Sequence, residues 1–316
     1  MPLELIHRVA LGQDGMVTTS QALAAGLTRD HIRQLCRSGR WRRLSRGCFA
    51  PGGQPPDAVT GRTRIRAAVV SLGPGAFAVL DSALELHGIA VPRRNSAVHV
   101  SVPVDRPRPQ RPTDPSLVVH QLTVRPDDIV EVSGIPTTSP LRTVTDVILR
   151  LDRYPAVSVL DSALNRGLVT PEDLATAPVL VRGRRGAPAA RSHLGEVDGR
   201  AQSPLETWAR LRCVDGGVPP DVLQQEVRDE DGHLLGIGDL GWRAARLIAE
   251  ADGMGPHGTP EALFADRRRQ NRLVNAGWRI LRFTWSDALR PDYIPQTVRQ
   301  AMSAPRNPPH SRRTPH

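Results

Sequence analysis

The sequence predicts a mixed α+β protein made of three folded segments followed by a tail. Two capped helices and a short hairpin fill the first fifty residues, helical periods mix with alternating apolar residues in the middle, and an α-β-β-β-α-β order runs from Gln202 to Thr284. The predicted domains are a winged helix-turn-helix at 1–52, a middle α+β domain at 62–180, an αβββαβ core at 187–303 and a disordered basic tail at 304–316.

The charge balance of the chain favours a nucleic-acid partner. The 316 residues carry a net charge of +10 with a sequence pI of about 11.0, and all 42 basic residues are arginine. Arginine forms bidentate contacts with phosphate and with guanine. The lack of lysine in the sequence excludes Schiff-base lysine chemistry and the P-loop lysine of nucleotide hydrolases. We therefore expect DNA as the partner.

Cysteine usage and hydropathy predict a cytoplasmic protein. Cys36, Cys48 and Cys213 are odd in number and show no C-x-x-C spacing, which argues against a disulfide framework or a zinc ribbon. The sequence contains no run of 18 apolar residues and no signal-peptide pattern, so we expect no membrane partner. Nothing in the sequence indicates an oligomeric state.

The N-terminal pattern is typical of a winged helix-turn-helix. The predicted elements are a helix at Ser20–Ala25 capped by Thr19, a recognition helix at Arg29–Ser38 capped by Thr28, and hairpin strands at Trp41–Leu44 and Cys48–Ala50. Seven arginines and one acid lie between Thr28 and Gly47. The predicted DNA contacts here are Arg29, Arg33, Arg37, Arg42, Arg43 and Arg46. The alternative is a solvated basic face of an arginine-rich protein. This segment resembles the N-terminal domain of abortive-infection type IV antitoxins (AbiEi).

The middle segment adds helices and half-buried strands. Helices are predicted at Thr63–Leu72 and Ala78–His87, and Val98–Val102 alternates apolar and polar residues as a half-buried strand does. Residues 134–146, G-I-P-T-T-S-P-L-R-T-V-T-D, resemble the middle domain of the same antitoxin-like proteins. That resemblance implies a toxin or other protein partner through this domain. Arg142 and Asp146 are four residues apart on a predicted helix, which indicates a surface ion pair.

The C-terminal segment places two acids at the ends of adjacent predicted strands. Asp239 ends the second strand and Glu250 ends the third, beside an arginine-rich helix. Carboxylates in this position indicate a divalent-metal site that faces a polyanion. We expect Mg²⁺ or Mn²⁺ there.

Several short motifs of this segment, taken in order, resemble a PD-(D/E)XK nuclease core of the very-short-patch-repair endonuclease branch. The matching pieces are S-P-L-E at 203–206, G-D-L-G-W around Asp239, E-A-D-G at 250–253, His257, D-R-R-R-Q-N-R-L at 266–273 and G-W-R-I-L-R-F-T at 277–284. The resemblance implies a restriction-endonuclease-like core in which Asp239 and Glu250 hold the metal. It also implies that His257 replaces the family's missing lysine as the general base.

Other residues of this segment have both a functional and a structural interpretation. Glu206 either supports the metal or closes a capping box with Ser203, and Asp252 is either a third metal ligand or a turn former. His257 is either the general base or a loop histidine. The predicted phosphate clamp of this helix comprises Arg267, Arg268, Arg269 and Arg272, with a solvated helix face as the alternative. Asn271 is predicted to order the active-site backbone.

Two functions follow from these patterns. The first is a DNA-binding protein with a metal-dependent endonuclease domain that hydrolyses DNA phosphodiesters. The second is a type IV antitoxin-like transcriptional regulator whose nuclease-like domain is catalytically inert. The absent lysine after Glu250 favours the second.

Overall fold

The computed structural model describes residues 2–52, 59–92, 97–107, 114–253 and 260–304. The chain divides into two compact units. The first unit comprises residues 1–89, 93–150 and 168–187, and the second comprises residues 90–92, 151–167 and 188–316. His257 and most of the predicted tail lie outside the described residues. Among those residues, no helix is long and apolar enough to cross a membrane.

The first unit begins with a winged helix-turn-helix. Its elements are α1 (Pro2–Leu11), β1 (Val17–Thr18), α2 (Thr19–Ala24), α3 (Arg29–Arg37), β2 (Trp41–Ser45) and β3 (Cys48–Pro51). The strands form an antiparallel sheet in the order β1-β3-β2, and Ile6, Ile32, Trp41 and Phe49 are buried together against it. This confirms the predicted fold of the N-terminal segment.

The start of α2 differs from the prediction by one residue. Thr18, rather than Thr19, is the N-cap, because its hydroxyl accepts the backbone N–H of Gln21 and the Gln21 side chain accepts the Thr18 N–H. This reciprocal pair needs a side chain with an acceptor atom three residues after the cap, most often glutamine or glutamate. Only the threonine at position 18 has one, since Ala22 follows Thr19 at that distance.

The rest of the first unit is a five-stranded mixed sheet covered by helices. In chain order the elements are α4 (Gly61–Leu72), β4 (Phe77–Ala78), α5 (Leu80–His87), β5 (Val98–Ser101), β6 (Leu117–His120), β7 (Ile129–Val132), β8 (Ile135–Thr138), α6 (Pro140–Ile148), then α7 (Arg153–Asn165) of the second unit, and α8 (Pro171–Leu180). The strand order is β6-β5-β4-β8-β7. Ser133 and Gly134, both at positive φ, turn the chain between β7 and β8.

The prediction that β5 is half-buried is wrong. His99 and Ser101 are as buried as Val98 and Val100. Helix α4 packs against β5 through the apolar cluster that contains Val100, while Ser82 of α5 accepts the His99 backbone N–H at 2.8 Å. Because both faces of the strand are covered, the polar residues of its alternating pattern are buried as well.

Helix α4 joins the winged helix to this sheet. The Asp14 carboxylate accepts the Nε–H groups of Arg62 and Arg66 at 3.3 and 2.8 Å, and the Thr63 hydroxyl donates to the Asp14 carbonyl at 2.6 Å. On the wing, the Ser45 hydroxyl donates to the Ala67 carbonyl at 2.8 Å. These bonds fix the winged helix on the rest of its unit.

The second unit contains the αβββαβ order predicted from the sequence. Besides α7, its elements are α9 (Ala187–Leu194), α10 (Pro204–Asp215), β9 (Val222–Arg228), β10 (Leu234–Trp242), β11 (Leu247–Ala251), α11 (Pro260–Asn275), β12 (Arg279–Phe283), α12 (Trp285–Ala288) and α13 (Tyr293–Ser303). The sheet order is β12-β11-β10-β9, antiparallel except for the parallel pair β11–β12. The predicted limits 62–180 and 187–303 stay predictions about which segments fold independently.

Candidate nucleic-acid interface

The recognition helix α3 has a well-defined start and a one-sided buried face. The Thr28 hydroxyl accepts the His31 backbone N–H at 3.1 Å, and the His31 ring nitrogen Nδ1 accepts the Thr28 N–H at 3.4 Å. Ile32 and Leu35 are buried on the winged-helix core. Their spacing turns the arginines of α3 towards solvent.

Arginines of the recognition helix and of the wing line one concave surface. This arginine cleft has a volume of about 730 Å³, and its basic residues are Arg29, Arg33, Arg37, Arg43 and Arg46. All of them are exposed. Arg42 is exposed too but does not line the cleft, because neighbouring residues of a strand point to opposite faces of the sheet. The structure thus brings together all but one of the predicted N-terminal contacts.

The charge of the arginine cleft is largely uncompensated. Arg33 pairs with Asp30 on the same helix, and both side chains are well exposed, at 64% and 82%. Such a pair contributes little and opens readily to a phosphate. Within the described residues, the side chains of Arg29, Arg37, Arg43 and Arg46 form no hydrogen bond or ion pair. Their guanidinium groups are therefore available to a polyanion.

The wing is held in place by backbone contacts. It turns at Gly47, which has a φ of +72°, a conformation that disfavours residues with a side chain. The Thr19 N–H donates to the Gly47 carbonyl at 2.8 Å, and the rings of Trp41 and Phe49 pack with centroids 5.8 Å apart. The wing arginines are consequently presented on a fixed support.

In the second unit, two of the predicted site acids share a glutamine. The Gln224 amide donates to Glu206 Oε2 at 2.9 Å, and it lies near enough to Asp239 to oppose the rise in the pKa of that carboxyl group. Asp239 Oδ2 accepts the Ala251 N–H at 2.7 Å. Burial is the main cause that raises the pKa of both carboxyl groups above their usual values; the neighbouring Asp239 adds to it for Glu206, and the neighbouring Glu250 adds to it for Asp239.

The capping box expected at α10 is only half formed. The Ser203 hydroxyl accepts the Glu206 N–H at 3.2 Å, as a cap does. The Glu206 carboxylate, however, accepts the N–H of Gln202 at 2.9 Å and the Gln224 amide rather than the Ser203 N–H. Glu206 therefore contacts Gln224, beside Asp239, as well as the start of its own helix.

Glu250 is held by two arginines. Arg269 Nη1 lies 2.7 Å from one carboxylate oxygen, and Arg282 Nε lies 3.2 Å from the other. Both arginines also pair with Asp266. This network uses Arg269, which the sequence assigned to DNA phosphate. Arg268 and Asn271 are exposed on the same helix, and Asp252 is exposed after β11.

Within the described residues, the predicted metal ligands Asp239, Glu250 and Asp252 do not form a group whose ligand atoms all lie close together. Each Glu250 oxygen lies within ion-pair distance of a guanidinium group, although the buried Oε1 accepts no hydrogen bond from the described residues. In the part of the chain that the structure describes, one group of three or more metal-binding side chains has ligand atoms within 4.8 Å of one another, namely the exposed Asp229, Asp231 and His233. The metal roles of Asp239, Glu250 and Asp252 stay predictions, and His257 lies outside the described residues.

Sequence reasoning missed three residues that organise this region. Gln224, Asp266 and Arg282 connect the acids to their partners. Gln224 has a φ of +54° in the middle of β9, which is uncommon for a residue with a side chain. The sequence around Gln224 contains no pattern that predicts this backbone conformation. Arg282 lies within the string G-W-R-I-L-R-F-T at 277–284, so the sequence did contain a signal for it.

Comparisons with known proteins agree with the first unit. The family model described as a transcriptional regulator, AbiEi antitoxin, matches residues 4–51, and the AbiEi antitoxin C-terminal domain matches residues 76–196. Fold and sequence thus define a winged-helix protein with AbiEi-type antitoxin domains. The second unit's resemblance to nucleases has no such support.

Two mycobacterial proteins are similar over most of the chain. The uncharacterized proteins MT2308 and Rv2248 of Mycobacterium tuberculosis, from strains CDC 1551 / Oshkosh and ATCC 25618 / H37Rv, are each 32% identical over 264 residues, which span 84% of this chain and 93% of the relative. The chain belongs to the same family as these proteins. The crystal structure of RV2827C protein from Mycobacterium tuberculosis matches with a TM-score of 0.41 and 17% identity over 72% of this chain and 89% of that chain.

Proposed function

We propose that this protein is a DNA-binding transcriptional regulator of the AbiEi antitoxin type. The single observation that carries the proposal is the arginine cleft, which joins the recognition helix and the wing in one cationic surface. The antitoxin family models that match residues 4–51 and 76–196 support it. The N-terminal arginines, rather than the acids of the second unit, are the functional residues in this proposal.

The geometry suits duplex DNA for a simple reason of size and charge. An α-helix with its side chains is about 10–12 Å wide, and the major groove of B-DNA is about 12 Å wide. With α3 in the groove, Arg33 and Arg37 lie one turn apart and reach base edges or the flanking phosphates. Arg43 and Arg46 on the wing contact the adjacent backbone. Phosphate contacts supply affinity, and base contacts by arginine select guanine.

The test measures binding of the full chain to the DNA upstream of its own coding sequence, because a transcriptional regulator of the proposed type binds a promoter. Arg33→Ala and Arg37→Ala each remove a free or exposed guanidinium and should weaken binding by about 10-fold or more, the size of one good arginine contact. Arg191→Ala, on the exposed side of α9, removes the same charge far from α3 in sequence and should leave affinity within about twofold. Equal losses in all three variants would contradict a specific cleft.

The same family match supports a protein partner for residues 76–196. We propose that the segment matched by the antitoxin C-terminal domain model, residues 76–196, contacts or counteracts a toxin. Co-expression of the chain with the product of a neighbouring gene, with growth as the readout, tests this. Growth that stays arrested in the presence of the chain would count against that partner.

Metal-dependent DNA cleavage is a second candidate function. One observation favours it: Glu206 and Asp239 converge around Gln224 at the edge where the resemblance places a nuclease site. The two arginine pairs of Glu250 oppose it, because they would have to open before that carboxylate met a cation. An incubation of the chain with plasmid DNA and Mg²⁺ or Mn²⁺ decides between the two. Nicking that Asp239→Asn abolishes would establish a nuclease. Plasmid that stays intact would leave the transcriptional regulator as the remaining proposal.

A further inference from the structure

A second cationic cavity lies in the first unit, on elements other than the winged helix. It has a volume of about 550 Å³ and is lined by Asp146, Leu149, Arg150, Arg184 and Arg185. We call it the Arg150 cavity. Small-ligand sites are commonly about 300–1,000 Å³. All of its lining residues except Leu149 are charged, so a polar, anionic ligand suits it.

The walls of the Arg150 cavity come from two segments that are pressed together. Arg150 follows α6, and Arg184 and Arg185 lie between α8 and α9. Gly186, at a φ of +88°, approaches so closely that a Cβ there would lie 2.2 Å from the Leu149 carbonyl oxygen. Only a glycine fits at this crossing. The crossing therefore sets Arg185 beside Arg150.

Asp146, which lines the cavity, belongs to an ion-pair network whose charges balance. Asp146 is 3% exposed and pairs with Arg142 at 2.9 Å and with Arg184 at 2.7 Å. Arg142 also pairs with Asp128 at 2.9 Å and donates to the Thr123 carbonyl at 3.0 Å. The predicted ion pair of Arg142 and Asp146 therefore forms, but Asp146 is buried rather than on the surface. Two carboxylates and two guanidinium groups neutralise each other in this network.

Arg150 and Arg185 take no part in this ion-pair network. Both are exposed, and within the described residues neither side chain forms an ion pair or a hydrogen bond. Two guanidinium groups next to each other repel unless an anion lies between them. Neither arginine stabilises the fold through a contact that the structure shows, so both guanidinium groups are available to a ligand.

We propose that the Arg150 cavity binds a phosphoryl group, with Arg150 and Arg185 as its direct ligands and Arg184 as a positioning residue. A phosphate group carries up to two negative charges and several acceptor oxygens, which match two planar guanidinium forks better than a carboxylate does. The phosphoryl group belongs either to a free nucleotide or to the DNA backbone. The site is independent of the arginine cleft and holds whether or not that cleft binds DNA.

The test compares Arg150→Gln/Arg185→Gln in the full chain with Arg182→Gln. Arg182 is an exposed neighbour that does not line the cavity, which makes it a matched control. Calorimetry with ATP and with inorganic pyrophosphate at constant ionic strength measures the nucleotide source. If that is the source, wild type and the control bind alike, and the double variant binds at least 10-fold more weakly.

The DNA source is measured by the salt dependence of duplex binding. If the cavity holds backbone phosphate, the double variant weakens binding and makes the slope of log K against log salt less steep by about 2, and the control does not. Either result supports the phosphoryl site and names its source. The proposal is overturned if the double variant and the control are indistinguishable with ATP, with pyrophosphate and with duplex DNA, while circular dichroism shows that all variants are folded.

Discussion

Removal of the Arg210 guanidinium should destabilise the second unit strongly. Asp161, on α7, is 1% exposed and pairs with Arg210 of α10 at 2.9 Å, whose side chain is 11% exposed. The Asp161 carboxylate also accepts the Asp198 N–H at 2.7 Å and the Thr207 hydroxyl at 2.8 Å. Loss of one partner of a buried pair costs about 3–5 kcal/mol, because the remaining charge stays buried. For Arg210→Met we expect about 3 kcal/mol, since two hydrogen bonds to Asp161 remain.

The pH dependence of that loss has a defined sign. Burial raises the pKa of Asp161 above its usual value although Arg210 opposes the shift. Without Arg210 the pKa rises further. A carboxyl group whose pKa is raised on folding contributes stability below its unfolded pKa and loses it as the pH rises through the folded pKa. The deficit of Arg210→Met should therefore be largest at neutral pH and shrink in acid.

Urea unfolding followed by tryptophan fluorescence measures this prediction. Trp208 packs against Tyr154 and Trp285, with ring centroids 4.9 and 5.6 Å apart, so its emission reports the second unit. Asp161→Asn added to Arg210→Met should recover much of the loss. Arg200→Met is the control, because Arg200 is 59% exposed in its pair with Asp198 and should cost less than about 1 kcal/mol. A loss in Arg210→Met no larger than in this control would refute the reasoning.

Two more predictions concern the second unit. Asp239→Asn and Glu206→Gln should each stabilise the protein by about 1 kcal/mol at neutral pH, which is the ordinary size of a single substitution. The reason is that the raised pKa values make both carboxylates destabilising above the acid range. Urea midpoints of the wild type that do not change between acid and neutral pH would show that neither carboxylate destabilises the fold. A fragment of residues 151–304 should unfold cooperatively and a fragment of residues 187–304 should not, because α7 supplies Asp161 to the second unit. Equal cooperativity in both fragments would show that 187–303 folds independently, as the sequence predicted.

Helix starts were predictable from sequence because their determinants are local. Thr28, Ser139 and Ser203 each lie three residues before the N–H that their side chain accepts, and each begins the predicted helix. The αβββαβ order was equally accessible, since turn residues separate apolar runs. Patterns within about four residues thus suffice for elements of this kind.

The missed features depend on residues far apart in the chain. The two-residue strand β4 exists because Phe77 and Ala78 pair with β5 and β8, and nothing in two residues indicates that. Asp146 is buried because Arg184, from a later segment, joins Arg142 on it. The arginine partners of Glu250 were missed because Arg269 and Arg282 come from later segments, which its strand alone does not indicate.

The salt dependence of duplex binding by the full chain tests the central claim most directly. Each phosphate neutralised by an arginine contributes about −0.9 to the slope of log K against log salt. The five basic residues of the arginine cleft therefore predict a slope of about −4 to −5, or a loss of several hundredfold between about 50 and 200 mM salt. Arg33→Ala/Arg37→Ala should make the slope less steep by about 2. A slope near zero, or one that this double variant leaves unchanged, would contradict DNA binding through the arginine cleft.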